Sequence, residues 1–581
     1  MKNNIYINIF AALAAVCMTV SCIQETFPEG GSLTKDQLMN TEGAIQNLQN
    51  ATSVAMVGSA SVGHAGKYGV HYDFGLGAMH LMTEFMLEDI ATPSNPGYNW
   101  FGPFASNKNM GSEYIYCSYF WEGYYQWIKL ANDVIRLVPP KESSEENLVV
   151  RGEALCYRAM CYLDLARLYV PLDNKIASTK VPEHIKGLTV PIVTENTTEE
   201  DSKFNPRTPY QDIYKLIISD LKEAETLLEK QTPLVYKPGV NVARGLLARA
   251  YLELGMLYRD CPVQNPDASV QYPADLDSDK AYNEAAKYAR KVIDAGGYHV
   301  LTQEQWENPT TGFNDAVASK WMWGLKLSSE NAFPLLTFSA HACTEGTWGY
   351  APLTHVSVSK KLYHSIDDND FRKHSWLDPE FEKFYSYKFA GDAADKEGFL
   401  HGNPAIGIPA AYPYQSIKFR PAQGEVTDPT VGGCADLVLM RVEEMYFIEM
   451  EAVLQTGNLG KAQTLLNEFM QNRILDGSYN CVSKTGTKAK FITEMMLQKR
   501  IEFWGEGILI YDYKRLNQGI NRGYPGSNHS ADMRLDCDGR SPQWNLVISR
   551  LEFQSNTAIS EENNNPDPTD CFNPDEKDKT K

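Results

Sequence analysis

One run constrains this chain more than any other stretch. Residues 143–169 follow Pro139-Pro140, and no further proline appears until Pro171, so a long helix is permitted. The run opens with Ser143-x-x-Glu146, the pattern of a capping box. Leu148, Leu155, Tyr162 and Tyr169 recur every seven residues as a large apolar stripe, and Gly152, Ala159 and Ala166 recur at the same spacing beside it. A row of small residues next to large ones lets a second helix approach and interlock. The spacing places Arg151, Arg158 and Arg167 off the stripe, on the other face. Such a helix needs partners to cover it.

The partners are legible further on. Residues 242–258 mix large and small side chains and end in Leu254-Gly255-x-x-Tyr258, part of a tetratricopeptide signature. Residues 282–293 supply a second helix. Residues 441–455 and 458–472 form another pair hinged at Gly457. Residues 210–228 carry Ile213, Leu216, Ile217, Leu221 and Leu227 on one side. The expected fold is mainly α, a TPR-type scaffold of helical hairpins within about 143–298 and 441–472, each burying its neighbour's face. The units do not keep a strict period. Irregular, loop-rich insertions at about 91–115 and 300–440 interrupt them. Within the second, residues 320–327 alternate like a strand, which places Trp321 and Trp323 in the core.

The N-terminus reads as a targeting segment. Lys2 precedes an almost wholly apolar run, residues 5–20, too short for a comfortable membrane span and suited to a signal peptide. The run ends Thr19-Val20-Ser21-Cys22. A small residue before a cysteine at that place resembles a lipobox, with cleavage after residue 21 and acylation of Cys22. Thr19 stands where such boxes most often carry leucine. The expected organisation is a signal over 1–21, then a single domain over 22–581. That domain begins with a tether over 22–33 and ends in a loose acidic tail over about 560–581.

With a net charge of −19, the chain is a poor match for nucleic acid, which needs clustered cations. The cysteines beyond Cys22 are irregularly spaced with no C-x-x-C pair, which argues for buried thiols rather than a zinc site. No metal or cofactor is expected. No G-x-S-x-G, H-E-x-x-H, P-loop or G-x-G-x-x-G is present, so the chain is read as a binding protein and not an enzyme. Aromatics are plentiful, with 32 Tyr, 23 Phe and 10 Trp. Some lie where aromatics are unusual: Tyr98-Asn99-Trp100-Phe101 in a Pro/Gly-rich loop, and Trp348-Gly349-Tyr350 in another.

A set of motifs in fixed order resembles the SusD/RagB family of Bacteroidetes outer-membrane glycan-binding lipoproteins. The pieces are Arg151-Gly-Glu-Ala-Leu-Cys-Tyr-Arg-Ala-Met-Cys-Tyr-Leu-Asp-Leu-Ala-Arg-Leu-Tyr169; Ile213-Tyr214 with Asp220-Leu-Lys-Glu-Ala224; the Leu-Leu-Ala-Arg-x-Tyr segment ending at Tyr251; Ala289-x-x-Val292-Ile293-Asp294-x-Gly296-x-Tyr298; Arg441-x-x-Glu444 with Glu449-x-Glu451-Ala452; and Arg500-Ile-Glu502, Gly505-Glu506-Gly507 and Tyr511-Asp512-x-Lys514-Arg515. These define a fold, and Arg441, Glu444, Arg500, Glu502 and Asp512 are read as ion pairs tying helices together. The resemblance implies a lipid-anchored protein on the outer-membrane surface that captures an oligosaccharide and delivers it to a SusC-like TonB-dependent transporter. It implies that Tyr98, Asn99 and Trp100, with Trp348 and Tyr350, form the glycan-binding platform. The alternative is a TPR-type surface lipoprotein that binds protein or peptide without contacting glycan.

Overall fold

The computed structural model describes residues 43–60, 71–92, 100–141, 143–261, 276–354, 356–380 and 412–572. The chain divides into compact units 1–45 and 46–581. Of the first, residues 43–45 are described. The signal, the tether and Cys22 lie outside the described residues. The elements named below belong to the second unit.

The main helices are α1 (Leu76–Phe85), α2 (Ile115–Leu137), α3 (Glu145–Tyr169), α4 (Tyr210–Leu227), α5 (Val240–Asp260), α6 (Ser278–Asp294), α7 (Val442–Gln455), α8 (Leu459–Met470), α9 (Lys488–Glu502) and α10 (Leu509–Arg515). They pack in succession: α2 on α3, α3 on α4, α4 on α5, α5 on α6, α6 on α7 and α7 on α8, with α9 against both α7 and α8. Each helix therefore covers a neighbour's apolar face. The small residues do what their spacing predicts. A Cβ at Gly152 would lie 2.9 Å from Leu228 Cγ, and one at Gly255 would lie 2.7 Å from the Tyr282 ring. Gly457, at φ 93°, turns the chain between α7 and α8.

Strand is sparse. β1 (Ile90–Ala91) pairs with β3 (Ser357–Val358), β2 (Trp323–Leu325) with β4 (Leu437–Met440), and β5 (Ile520–Asn521) with β6 (Asp536–Cys537), all antiparallel. Trp321 and Trp323 are buried, as expected of core residues.

Three expectations are corrected or sharpened. The N-cap of α3 is Ser144, whose hydroxyl accepts from Asn147 N at 3.3 Å, one residue later than the motif suggested. Arg151, Arg158 and Arg167, read only as lying off the stripe, are buried. Each has a carboxylate partner: Glu223 for Arg151, Asp164 for Arg167, and a bidentate Asp220 at 2.7 and 2.8 Å for Arg158. The third concerns the C-terminus, which is held through residue 572. Asn565 Nδ2 donates to the carbonyls of Tyr169 and Leu546 at 2.9 and 2.8 Å, and Asn107 Nδ2 donates to Pro568 O at 2.6 Å.

The charged motifs form a buried lattice. Glu502 accepts from Arg372 at 2.9 Å, Arg441 at 2.7 Å and Arg473 at 2.7 Å. Burial alone would raise its pKa, but the guanidiniums of Arg473, Arg441 and Arg372 hold it well below the usual carboxylate range. Glu506 takes Arg441 and Lys418, Glu444 takes Arg249, Asp89 takes Arg500, and Asp512 takes Lys499. The pairs join α5, α7, α9, α10 and the loops around them. The nine described cysteines are free thiols, most of them buried.

Candidate functional site

Three segments far apart in sequence bring aromatic rings together at one end of α1. The first is the approach to α1. Asp73 fixes it: Oδ2 accepts from Ser59 Oγ at 2.6 Å and Oδ1 from Ala60 N at 2.7 Å. Gly75 then turns at φ 72°, with Met56 O only 2.3 Å from where a Cβ would stand, so glycine is required here. This turn sets Tyr72 and Phe74 beside α1.

The second segment is Trp100-Phe101, leading into the short helix Gly102–Ser106. Phe101 is buried against Phe85 (5.9 Å, stacked) and Phe74 (6.1 Å, edge-on). That anchor leaves Trp100 half-buried at the surface. The third segment runs from the short helix Phe338–Ala342 to Tyr350. Gly349, at φ 78°, brings Tyr350 N to Ala340 O at 2.6 Å; a Cβ on Gly349 would lie 2.5 Å from that oxygen.

The rings form a continuous series from core to surface. Phe74 stacks on His341 at 4.7 Å, and His341 stacks on Tyr350 at 4.8 Å. The Tyr350 hydroxyl and His71 Nδ1 are hydrogen-bonded to each other, and His71 stacks on Trp100 at 4.8 Å with 16° between planes. Tyr72 lies 6.1 Å from Trp100 and stacks on Tyr119 at 5.5 Å. The inner rings are buried, His71 is exposed, and Tyr72, Trp100 and Tyr350 are half-buried. Burial pushes the His341 imidazole down to about 4, so it is neutral at pH 7, and its Nδ1 meets Thr337 O at 2.9 Å. Trp100 Nε1 is shielded and has no hydrogen-bond partner among the described residues.

This arrangement offers flat apolar faces with hydroxyl and imidazole edges. Among the described residues, no group of three or more His, Cys, Asp or Glu is placed to hold a metal ion.

The structure thus joins Trp100 and Tyr350, two of the expected platform residues, through His71. Tyr98 and Asn99 lie outside the described residues. Trp348 is placed differently. It is 7 % exposed and packs with Ala340 and Cys343, and its ring lies against two glycines. A Cβ on Gly346 or Gly432 would come within 2.8 or 2.7 Å of it. Its faces support the loop that carries Tyr350 and are not presented to solvent. Sequence reasoning missed His71, Tyr72 and His341. The available signal was Tyr72-Asp73-Phe74-Gly75, an aromatic pair around an Asx-and-glycine turn just before a helix.

Comparison with known proteins bears directly on the motifs. A family model described as starch-binding and associating with the outer membrane matches residues 75–252, and the SusD family model matches residues 330–578. The chain belongs to the SusD/RagB family. No curated protein matches the sequence. Among solved structures, a SusD-like carbohydrate-binding protein from Bacteroides vulgatus is similar at TM-score 0.65 and 20 % identity, covering 90 % of this chain and 97 % of its own. A SusD superfamily protein from Bacteroides thetaiotaomicron gives 0.62 and 20 %, covering 92 % and 100 %. A laminarin-binding SusD-like protein gives 0.57 and 16 %, covering 90 % and 99 %. At these identities the likeness establishes the SusD fold. No helix among the described residues is long and apolar enough to cross a membrane.

Proposed function

We propose that this SusD-family protein is a cell-surface glycan-binding lipoprotein. It captures an oligosaccharide on the aromatic shelf built by Trp100, Tyr350, His71 and Tyr72, with Tyr98 and Asn99 as further glycan-binding residues. It passes the sugar to a SusC-like TonB-dependent transporter in the outer membrane, to which an acylated Cys22 holds it. Capture occurs without catalysis.

The observation that carries this reading is convergence. Trp100 and Tyr350 are about 250 residues apart in the chain, yet Tyr350 stacks on buried His341, Trp100 directly precedes buried Phe101, and both touch His71. Sugar rings present C–H faces that pack on such planes, and hydroxyls that pair with amide, phenol and imidazole edges. The family description as starch-binding and the laminarin-binding relative support a saccharide as ligand. A glycan screen of lipid-free protein tests the reading. Binding of a defined glycan that weakens at least tenfold in Trp100→Ala supports it, and a folded protein that binds no glycan overturns it. Replacing Cys22 by Ser releases the protein from membranes if the anchor assignment is right; retention contradicts it.

A further inference from the structure

A second concave surface lies away from the shelf. It is a groove of about 900 Å³ between α2, the 191–205 segment and the short helix Arg550–Ser555. Its floor is built on one turn of α2, where the Trp121 and Tyr125 rings lie 4.9 Å apart. Their polar atoms are already tied off: Trp121 Nε1 donates to Glu552 Oε2 at 3.0 Å and the Tyr125 hydroxyl to Pro191 O at 2.6 Å. Those bonds fix the rings before any ligand arrives and leave carbon surface toward the groove. Pro191 and Val193 extend that surface. In the chain, Phe204 follows Lys203 and precedes Asn205, both of which line the groove, and 70 % of its surface is exposed.

The rim is polar and mixed in sign. Glu122 and Glu199 stand among Lys129 and Lys203, with Gln126 and Gln554 between. With Glu552 the lining carries three carboxylates against two ammonium groups, close to balance, so the groove selects against a strongly charged ligand, and its amide side chains suit hydroxyls. The volume is several times that of one hexose ring.

We propose that this groove is a second binding site for a neutral oligosaccharide, with Phe204 and Tyr125 as stacking rings and Gln126 and Gln554 as hydroxyl partners. It would hold a second stretch of a chain whose first stretch lies on the shelf, or a separate chain. The two sites raise affinity for longer polymers through effective concentration rather than through new contacts.

Hydrogen exchange of the purified protein with laminarihexaose and with maltohexaose, at millimolar concentration, separates the two sites. The proposal expects slowed exchange over 199–205 and 550–557 with at least one of these sugars. That protection persists in Trp100→Ala and is lost, with affinity at the groove at least tenfold weaker, in Phe204→Ala and in Gln554→Trp, which fills the groove from an exposed position. Protection confined to the shelf leaves the proposed function standing and overturns the second site. Protection of the groove by an apolar dye or an apolar peptide, but by neither sugar, also overturns it and marks the surface as a protein contact.

Discussion

The ion-pair lattice and the aromatic shelf are built on opposite principles. In the lattice, Glu502 takes three guanidiniums, and Arg441 in turn reaches Glu506, which also takes Lys418. Glu502, Arg441 and Glu506 each have two or more buried charged partners, and removing one leaves the others short of a counter-charge. In the shelf, Trp100 meets the rings of His71 and Tyr72, Tyr350 meets those of His71 and His341, and both side chains are half-buried at the surface. The family motifs sit in the first region. The residues that would read a ligand sit in the second, where substitution perturbs little else. A fold shared by many binding proteins can keep such a lattice and vary the shelf.

The sharpest way to break the comparison is at Glu502. Glu502→Gln leaves Arg372, Arg441 and Arg473 buried without their shared anion and is expected to cost roughly 3–5 kcal/mol in chemical denaturation. A loss under about 1 kcal/mol would show that the lattice is not what holds α7 and α9 together.

His341 gives a prediction with a sign. Its pKa, 6.5 in an open chain, is pushed down to about 4 by burial. Between these values the unfolded chain binds the proton and the folded chain does not, so stability falls as pH drops from 6.5 toward 4. Measured as the difference between wild type and His341→Gln, that loss reaches on the order of 3 kcal/mol at the acid end. Parallel unfolding curves across this range would contradict a neutral, buried imidazole under Tyr350.

Close helix packing is tested at Gly255. A methyl there collides with the Tyr282 ring between α5 and α6. Gly255→Ala is expected to destabilise by about 1–3 kcal/mol, although alanine is the better helix former. The smallest effect on folding belongs to the shelf. Trp100→Ala should cost about 1 kcal/mol or less in thermal unfolding, because the ring is half-exposed and its indole nitrogen is unpaired.

Much of the scaffold was readable because periodicity reports which positions are covered. The Gly152, Ala159 and Ala166 row and the large residues beside it described α3 well. Periodicity does not say what covers a position, and so it left Arg158 without a partner. A guanidinium off the apolar stripe has no legible counter-charge until Asp220 of α4 is known to lie opposite it. The shelf was half legible. Trp100 and Tyr350 stood out as aromatics in loops, but composition cannot separate Trp348 from Tyr350 across a single glycine. The turn at Gly349 settles their different surroundings, and a turn's handedness is set by contacts with Ala340. His71 and Tyr72 were overlooked because a lone histidine and tyrosine before a helix carry no periodic signal.

The most direct test of glycan capture on the shelf is calorimetric titration of one bound oligosaccharide into wild type, Trp100→Ala, Tyr350→Ala and Trp348→Phe. The account predicts at least tenfold weaker binding in each of the first two variants and wild-type affinity in Trp348→Phe, all with folded protein. Unchanged affinity in both Trp100→Ala and Tyr350→Ala would contradict it and place capture elsewhere on the molecule.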